Sequence, residues 1–351
     1  MSTEPTLPDP ALARKPAGKV NRLGLYLPFG VAIALAIAWS IGWFWLKGEA
    51  ERRMDASRTT LAAAGYPISW SSRRIDGYPF RLDLHMTDLK LGEPSGWAIT
   101  APAIEAEAFA YAPDLWIILA PGGVTFIRPH GGPVAVTAKT ARASLSHLGE
   151  YPPRLSVEAT GLAFAPASGA SPYFITAAKE LHLHLRAGPD DQGAVYVELD
   201  QATARLTGLM ARIAQDKPIN LTADAIFSHA GEFRGASWPS AVRTWSDAGG
   251  QFAVRRLMIA AGESILDAHS GTLSVGDDGR LRGSLKASLR RAPQALAVMG
   301  QTGAISPQSA ATATTVAQVA QQGDIANLTI DFQAGETTLG PASIGPAPRV
   351  Y

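Results

Sequence analysis

The chain has 351 residues, of which 46% are hydrophobic and 17% charged, and its 31 basic and 30 acidic residues leave a formal net charge of +1. A nucleic-acid-binding protein is expected to show a clear basic excess, so this balance argues against that class. The absence of cysteine excludes disulfide bonds, thiolate metal sites, iron–sulfur clusters and a cysteine nucleophile.

Residues 1–24 are polar, contain prolines and become basic towards their end. They show no apolar periodicity, so we predict a disordered tail, placed in the cytoplasm. The 22 residues from 25 to 46 follow without a single charge. As a helix with a rise of about 1.5 Å per residue they would measure about 33 Å, enough to cross a hydrocarbon core of about 30 Å.

Aromatic side chains lie at both ends of this apolar segment, with Tyr26 at the start and Trp39, Trp43 and Trp45 towards the end. Such placement is typical of a membrane-spanning helix. A cleaved signal peptide is the alternative, because residues 36–38 have the A-x-A form of a cleavage site. The apolar region of a signal peptide normally has about 7–15 residues, so the longer segment favours an uncleaved transmembrane helix.

The charges that flank this helix do not decide its orientation, because four basic residues lie close to it on each side. We predict a cytoplasmic N-terminus, since a short tail is more easily left in the cytoplasm than the 305 residues that follow position 46. The expected location is the bacterial inner membrane, with a single-pass (bitopic) helix and a C-terminal domain in the periplasm.

Residues 47–65 contain no proline, and after Gly48 no glycine before Gly65, so we predict a helical stalk that leaves the membrane. From residue 66 to 351 the pattern changes, and apolar residues recur at every second position. In residues 81–87, for example, leucine and methionine alternate strictly with polar side chains. The pattern then changes phase, which suggests a bulge near Asp88.

Further segments with a period of two lie along the rest of this domain, at residues 155–160, 181–186, 195–200, 273–289 and 328–332. A sheet that buries one face and exposes the other is typically antiparallel. We therefore predict a mainly β fold, with the transmembrane helix followed by a curved antiparallel sheet that either forms a groove or folds over itself. A few short helices complete it, and residues 292–322 are expected to form a helical or mobile insert.

The sequence contains none of the nucleophile-elbow, phosphate-loop, dinucleotide-binding or zinc-protease motifs. We predict a protein that is not an enzyme and that holds no cofactor or metal. His182 and His184 project from one face of a strand, a spacing compatible with Zn²⁺ or Cu²⁺. The alternative is the polar face of an amphipathic strand, and it is favoured because no second pair of ligands is visible.

The most distinctive string of the sequence is a predicted structural corner, which we call the corner motif. It consists of Gly77, Tyr78, Pro79, Phe80 and Arg81. Glycine allows a turn, proline keeps the preceding residue extended, and Phe80 is expected to fix the start of the next strand in the core. An active-site role for Tyr78 or Arg81 is the alternative, although turn chemistry explains the string without it.

The apolar helix, the short helix after it and the corner motif that opens a β domain together resemble the DUF2125 family of alphaproteobacterial envelope proteins. Residues 335–348 also resemble the end of such domains, so the resemblance covers most of residues 25–351. The role of that family is unknown, so the resemblance implies a location and an architecture but no reaction. The pattern is more loosely similar to AsmA-like proteins, whose curved sheets form apolar grooves for lipid.

We predict that the protein binds or handles lipid, or another hydrophobic component of the cell envelope, in an apolar groove. The candidate groove residues are Leu181, Leu183, Leu185, Leu281, Leu285 and Leu289. The expected partners are the membrane, a lipid ligand and an envelope protein, without nucleic acid. The alternative is a non-catalytic assembly or scaffold factor that docks an envelope complex through residues 292–322. A periplasmic hydrolase is the third hypothesis, for which no nucleophile and base are visible.

Overall fold

The structure is a computed structural model that describes residues 23–204, 217–301, 303 and 305–351. The predicted tail therefore lies outside the described residues up to position 22. The helices of the described part are α1 (Leu23–Ala63), α2 (Trp238–Asp247), α3 (Ala292–Gln301) and α4 (Pro307–Val319), with a short 3₁₀ helix at Ala230–Glu232.

Helix α1 joins the apolar segment and the predicted stalk in one continuous helix of 41 residues. By length and composition it is a candidate for a single membrane span or a signal anchor. Most large apolar side chains between Leu25 and Trp45 are exposed, as expected for an anchor that lies outside the folded domain. Trp43 differs from them, because it is only 4% exposed and packs against the sheet.

The N-terminal half of the sheet consists of ten strands. They are β1 (Ile68–Ser69), β2 (Ser72–Asp76), β3 (Arg81–Gly92), β4 (Ala98–Phe109), β5 (Ala112–Leu119), β6 (Val124–Arg128), β7 (Gly132–Thr137), β8 (Thr140–Ser146), β9 (Arg154–Pro166) and β10 (Ile175–Ala187). Strand β4 pairs with both β5 and β6, and β9 pairs with both β7 and β8, so the sheet divides and rejoins between β4 and β9.

The C-terminal half continues the same sheet. Its strands are β11 (Gly193–Ala204), β12 (Ile219–Phe227), β13 (Phe252–Ala261), β14 (Ser264–Val275), β15 (Leu281–Arg290), β16 (Gln321–Gln322), β17 (Ile325–Gln333), β18 (Glu336–Leu339) and β19 (Ala342–Pro346). From β9 to β15 each strand pairs with the next one along the chain, and the pairings throughout are antiparallel. The prediction of a mainly β, antiparallel fold is thus confirmed.

The phase change near Asp88 is present, but it is not a simple bulge. Asp88 has a left-handed backbone, with φ of 51°. The register of β3 with β4 nevertheless continues unbroken across it, from Thr87 opposite Ala103 to Leu89 opposite Ala101. Strand β4 changes its buried face at the same level, because both Ala101 and Ile104 are buried. The two strands therefore change face together and keep their pairing.

In the described part of the chain, helices cover the sheet at three places, and each of them forms a separate core with the strands beneath it. The C-terminal half of α1 covers β3 and β4. Helix α2 covers the ends of β12 and β14 through Val242 and Trp245. Helices α3 and α4 fill most of the region predicted as a helical or mobile insert, and they pack against β17, β18 and β19 through Leu296, Ala313 and Ala317.

Candidate functional site

Between these covered regions, one face of the sheet carries an uninterrupted line of apolar side chains, which we call the apolar row. It consists of Val157 on β9, Leu183 on β10, Val197 on β11, Ala223 on β12 and Leu257 on β13. These residues are directly opposite one another in the register of the five strands. At about 4.8 Å between strands the row is about 19 Å long.

The apolar row is only partly buried along its whole length. Its two sides are closed, since Leu185 packs against the cluster under α2 and Leu181 against a second cluster that contains Ala159 and Leu162. Among the described residues, Leu183 itself belongs to neither cluster. The middle of the face is thus an apolar surface framed by two cores.

The six predicted groove leucines all lie on this face of the sheet, but the structure does not bring them together. Strands β10 and β15 are separated by four strands, so the two groups of leucines are about 24 Å apart. Leu285 is buried in a core with Phe332, and Leu281 and Leu289 pack against neighbouring clusters. The prediction was therefore wrong for Leu285, because side chains of the neighbouring strands, such as Phe332 on β17, and Ala347 after β19 pack around it.

The opposite face of the same strands is polar and internally bonded. Arg142 donates to Glu158 at 2.7 Å, and the Ser156 hydroxyl lies 2.7 Å from Nδ1 of His184. The hydrogen bond from Arg142 lowers the pKa of the Glu158 carboxyl. On β11, Tyr196 donates to Glu198 at 2.8 Å, and this bond together with burial raises the pKa of Tyr196. Each strand of this region therefore separates a charged, solvated face from an apolar one.

The rings of His182 and His184 stack at 6.3 Å on this polar face. Their neighbours across the strands are Glu158 and Glu198 on one level and Ser156 and Tyr196 on the next. No group of three metal-ligating side chains occurs in the part of the chain that the structure describes. The pair thus belongs to the hydrogen-bonded polar face of an amphipathic strand.

The corner motif lies against the last apolar turns of α1 and is bonded to it by two tryptophans. The indole N–H of Trp39 donates to the carbonyl of Pro79, and that of Trp43 donates to the carbonyl of Arg81, both at 2.8 Å. Gly77 supports the turn with φ of 96°, a conformation in which an added Cβ would lie 2.7 Å from the Arg81 carbonyl oxygen.

The aromatic side chains of the corner extend this contact. Tyr78 packs edge-on against Trp43 at 5.4 Å, and its hydroxyl lies 2.8 Å from the Ser40 hydroxyl. Phe80 faces Trp39 at 6.4 Å and is 63% exposed. The prediction that Phe80 enters the core was wrong, because Phe80 lies exposed against Trp39 of α1 while Leu82 begins the buried face of β3.

Sequence reasoning assigned the tryptophans of α1 to a membrane belt and missed their hydrogen bonds to the corner. The available signal was the spacing of Trp39 and Trp43, which places both on one face of a helix. The hairpin between β4 and β5 was missed as well. Its tip holds the stacked rings of Phe109 and Tyr111, and its Ala110 N–H donates to the carbonyl of Phe80 at 2.9 Å.

Comparison with known proteins gives one result. Residues 43–348 match the family DUF2125, described as an uncharacterized protein conserved in bacteria. The match begins in the last turns of the apolar helix and ends just after β19, so it includes the corner motif and the whole apolar row. No curated protein and no solved structure matches the chain.

Proposed function

The chain belongs to the DUF2125 family, and from its geometry we propose that it is a membrane-anchored protein whose apolar row binds the acyl chains of lipid or of another hydrophobic envelope component. The observation that carries the proposal is the partly buried line from Val157 to Leu257. At Leu183 the line lies between two filled cores, and its end at Leu257 packs against the core that contains Leu285. Contiguous apolar surface of this kind marks binding sites when it occurs on folded domains.

The chemistry of the row favours acyl chains over a polar ligand. Its five members carry only aliphatic side chains, and the strand backbone between them is occupied by the sheet's own hydrogen bonds. Such a surface offers neither charge nor free hydrogen-bonding groups. Each methylene group that the row removes from water contributes about 0.8 kcal/mol. One acyl chain lying along the row is therefore expected to bind reversibly, and the row does not distinguish one lipid headgroup from another.

The proposed location rests on α1, which is long and apolar enough to be a candidate membrane span. In the proposed arrangement its exposed apolar turns cross the inner membrane once, the short N-terminal tail lies in the cytoplasm, and the sheet lies in the periplasm. This arrangement keeps the apolar row attached to the bilayer that would supply its ligand. Binding, rather than catalysis, is the activity that a surface without polar groups supports.

The test uses the full chain in vesicles that contain a phospholipid with a photoreactive diazirine in its acyl chain. After irradiation, peptide mapping is expected to find lipid adducts on β9–β13 around Leu183 as well as on α1. Leu183→Gln is expected to reduce the adducts on these strands severalfold. The matched control is His182→Gln, one residue away on the opposite face, and it should leave them unchanged. Adducts confined to α1 would refute the proposal.

A scaffold function is the second candidate, and one observation favours it. Val319, at the end of α4, is 85% exposed. The other apolar side chains of α3 and α4 belong largely to the core, so deletion of both helices would expose Leu328 and Leu339 on the strands beneath them and destabilise the domain. Val319→Asp tests this candidate without that damage. Loss of crosslinked protein partners would support a scaffold, and an unchanged set would count against it.

A further inference from the structure

We propose that the folded domain is partly immersed in the bilayer through an aromatic collar at the base of the sheet. The collar consists of Trp39, Phe44, Tyr78, Phe80, Phe109 and Tyr111. The inference rests on the proposed membrane span, but it is independent of whether the apolar row binds lipid. It assigns a function to the corner motif, which the proposed binding site does not use.

The first argument is the length of the span. Trp39 and Trp43 are bonded to the corner motif, so the folded domain begins at their level on α1. If the membrane ended below Trp39, only the 14 residues from 25 to 38 would remain in it. They measure about 21 Å, which is too short for a hydrocarbon core of about 30 Å. The segment from Trp39 to Leu46, about 10 Å long, must therefore lie in the membrane together with whatever is bonded to it.

The second argument is the hydrogen bonding of the corner. Backbone carbonyls that leave water need partners within the protein, because hydrocarbon offers none. The carbonyls of Pro79 and Arg81 accept from the indoles of Trp39 and Trp43, and the carbonyl of Phe80 accepts from Ala110. Three successive carbonyls are thus satisfied by groups that come from α1 and from the β4–β5 hairpin, as an immersed turn requires.

The third argument is the identity of the exposed side chains. Phe80 and Tyr111 are 63% and 68% exposed. Phe80 contacts Trp39 of the apolar helix. Tyr111 follows Ala110, whose N–H is bonded to the carbonyl of Phe80. Tyrosine and tryptophan are enriched at the headgroup level of membranes, where an apolar ring and a polar edge are both accommodated. The positive charge of the adjacent Arg81 is paired with the carboxylates of Asp83 and Glu107, so Arg81 does not enter the membrane boundary as an unpaired charge.

The occupant of this surface is therefore the bilayer from which α1 emerges. Interfacial segments are typically buried about 5–10 Å into the boundary between headgroups and acyl chains. The distance of about 10 Å from Trp39 to Leu46 falls at the deep end of that range. Phe80 is placed deepest by its contact with Trp39, and Tyr78, which contacts Trp43 and Phe44, is shallower.

The absence of cysteine makes a direct test possible, since any introduced cysteine is the sole label site. The variants Ile37→Cys, Phe80→Cys, Tyr111→Cys and Val319→Cys of the full chain are labelled with an environment-sensitive fluorophore. They are placed in vesicles of phosphatidylethanolamine and phosphatidylglycerol. Quenching is measured with nitroxide lipids, labelled near the headgroup or deep in the acyl chain, and with aqueous iodide.

We expect the labels at 80 and 111 to be quenched by the nitroxide lipids and only weakly by iodide. The label at 37 should be quenched most by the deep nitroxide, and the exposed control at 319 only by iodide. Labels at 80 and 111 that respond to iodide as strongly as the label at 319, with 37 still deep, would overturn the collar alone. A label at 37 that is open to iodide would overturn the membrane span and the collar with it.

Discussion

At the scale of single residues, Trp43 joins the apolar helix to the sheet through both packing and a hydrogen bond. It is 4% exposed, its ring packs against Tyr78, and its indole N–H satisfies the carbonyl of Arg81. A residue that lies in the predicted membrane span is thus also a core residue of the folded domain. Together with the parallel contact of Trp39, this contact holds the sheet to the apolar part of α1.

Trp43→Phe tests this role, because it keeps an aromatic ring but removes the hydrogen-bond donor. The carbonyl of Arg81 would be left without its partner in a partly buried site, which typically costs about 1–3 kcal/mol. We expect a lower thermal unfolding midpoint of the full chain in detergent, followed by circular dichroism. Trp45→Phe is the matched control at a position that is 63% exposed, and it should leave the midpoint unchanged. Equal effects of the two substitutions would contradict the assignment.

Individual residues also show where sequence reasoning reached its limit. The alternation of Leu82, Leu84 and Met86 identified a buried face correctly, because a strand has a period of two whatever surrounds it. Leu285 shows the same alternation and was placed in a groove, yet it is buried. The period of two indicates that one face of the strand is apolar, but it does not indicate which distant element packs against that face.

At the scale of elements, the helical stalk is held to the sheet by an ion pair. Arg73 on β2 donates two hydrogen bonds to Asp55 of α1, at 2.8 and 3.1 Å. The hydrogen bond from Arg73 lowers the pKa of the Asp55 carboxyl. Because the folded pKa is depressed, the pair stabilises the fold above the ordinary aspartate pKa of about 3.9. That contribution is lost as the pH falls through the lowered value.

Asp55→Asn is therefore expected to reduce the free energy of unfolding near neutral pH. The difference between this variant and the natural chain should vanish in strongly acidic solution, where both carry an uncharged side chain at position 55. The measurement is denaturant unfolding of the full chain over a series of pH values. Asp114→Asn, at an exposed position on β5, serves as the control and should leave the free energy of unfolding unchanged at every pH. A difference that is constant with pH would argue against the ion pair.

Local chemistry accounts for the ends of several elements. The glycines and aspartates after β14 mark a hairpin, and the hydrogen bond from the N–H of Gly276 to the carbonyl of Arg280 closes it. Helix α2 begins at a serine cap, Ser237, followed by a tryptophan and a proline. The docking of the corner on α1 joins residues about 40 positions apart. No local pattern encodes that contact, and it became visible only once the fold placed the corner beside the helix.

At the scale of the whole molecule, α1 contacts the sheet at two separated places. Helix α1 continues for 17 residues beyond position 46, about 25 Å, and its far end meets the region around α2, where Tyr66 donates to the carbonyl of Gly235 at 2.9 Å. The sheet is thus fixed to α1 at the corner motif and again at the end of the stalk. The apolar row lies in the part of the sheet between β9 and β13, and none of its five members belongs to the core that α1 forms with β3 and β4.

The central claim is that the apolar row contacts lipid, and site-specific photocrosslinking within cell membranes tests it most directly. A photoreactive phenylalanine analogue is introduced at position 183 of the full chain, or at position 182 on the opposite face of the same strand. After irradiation, intact-mass analysis should show a lipid adduct for position 183 and none for position 182. The absence of lipid at position 183, or equal labelling of the two positions, would contradict the proposed function.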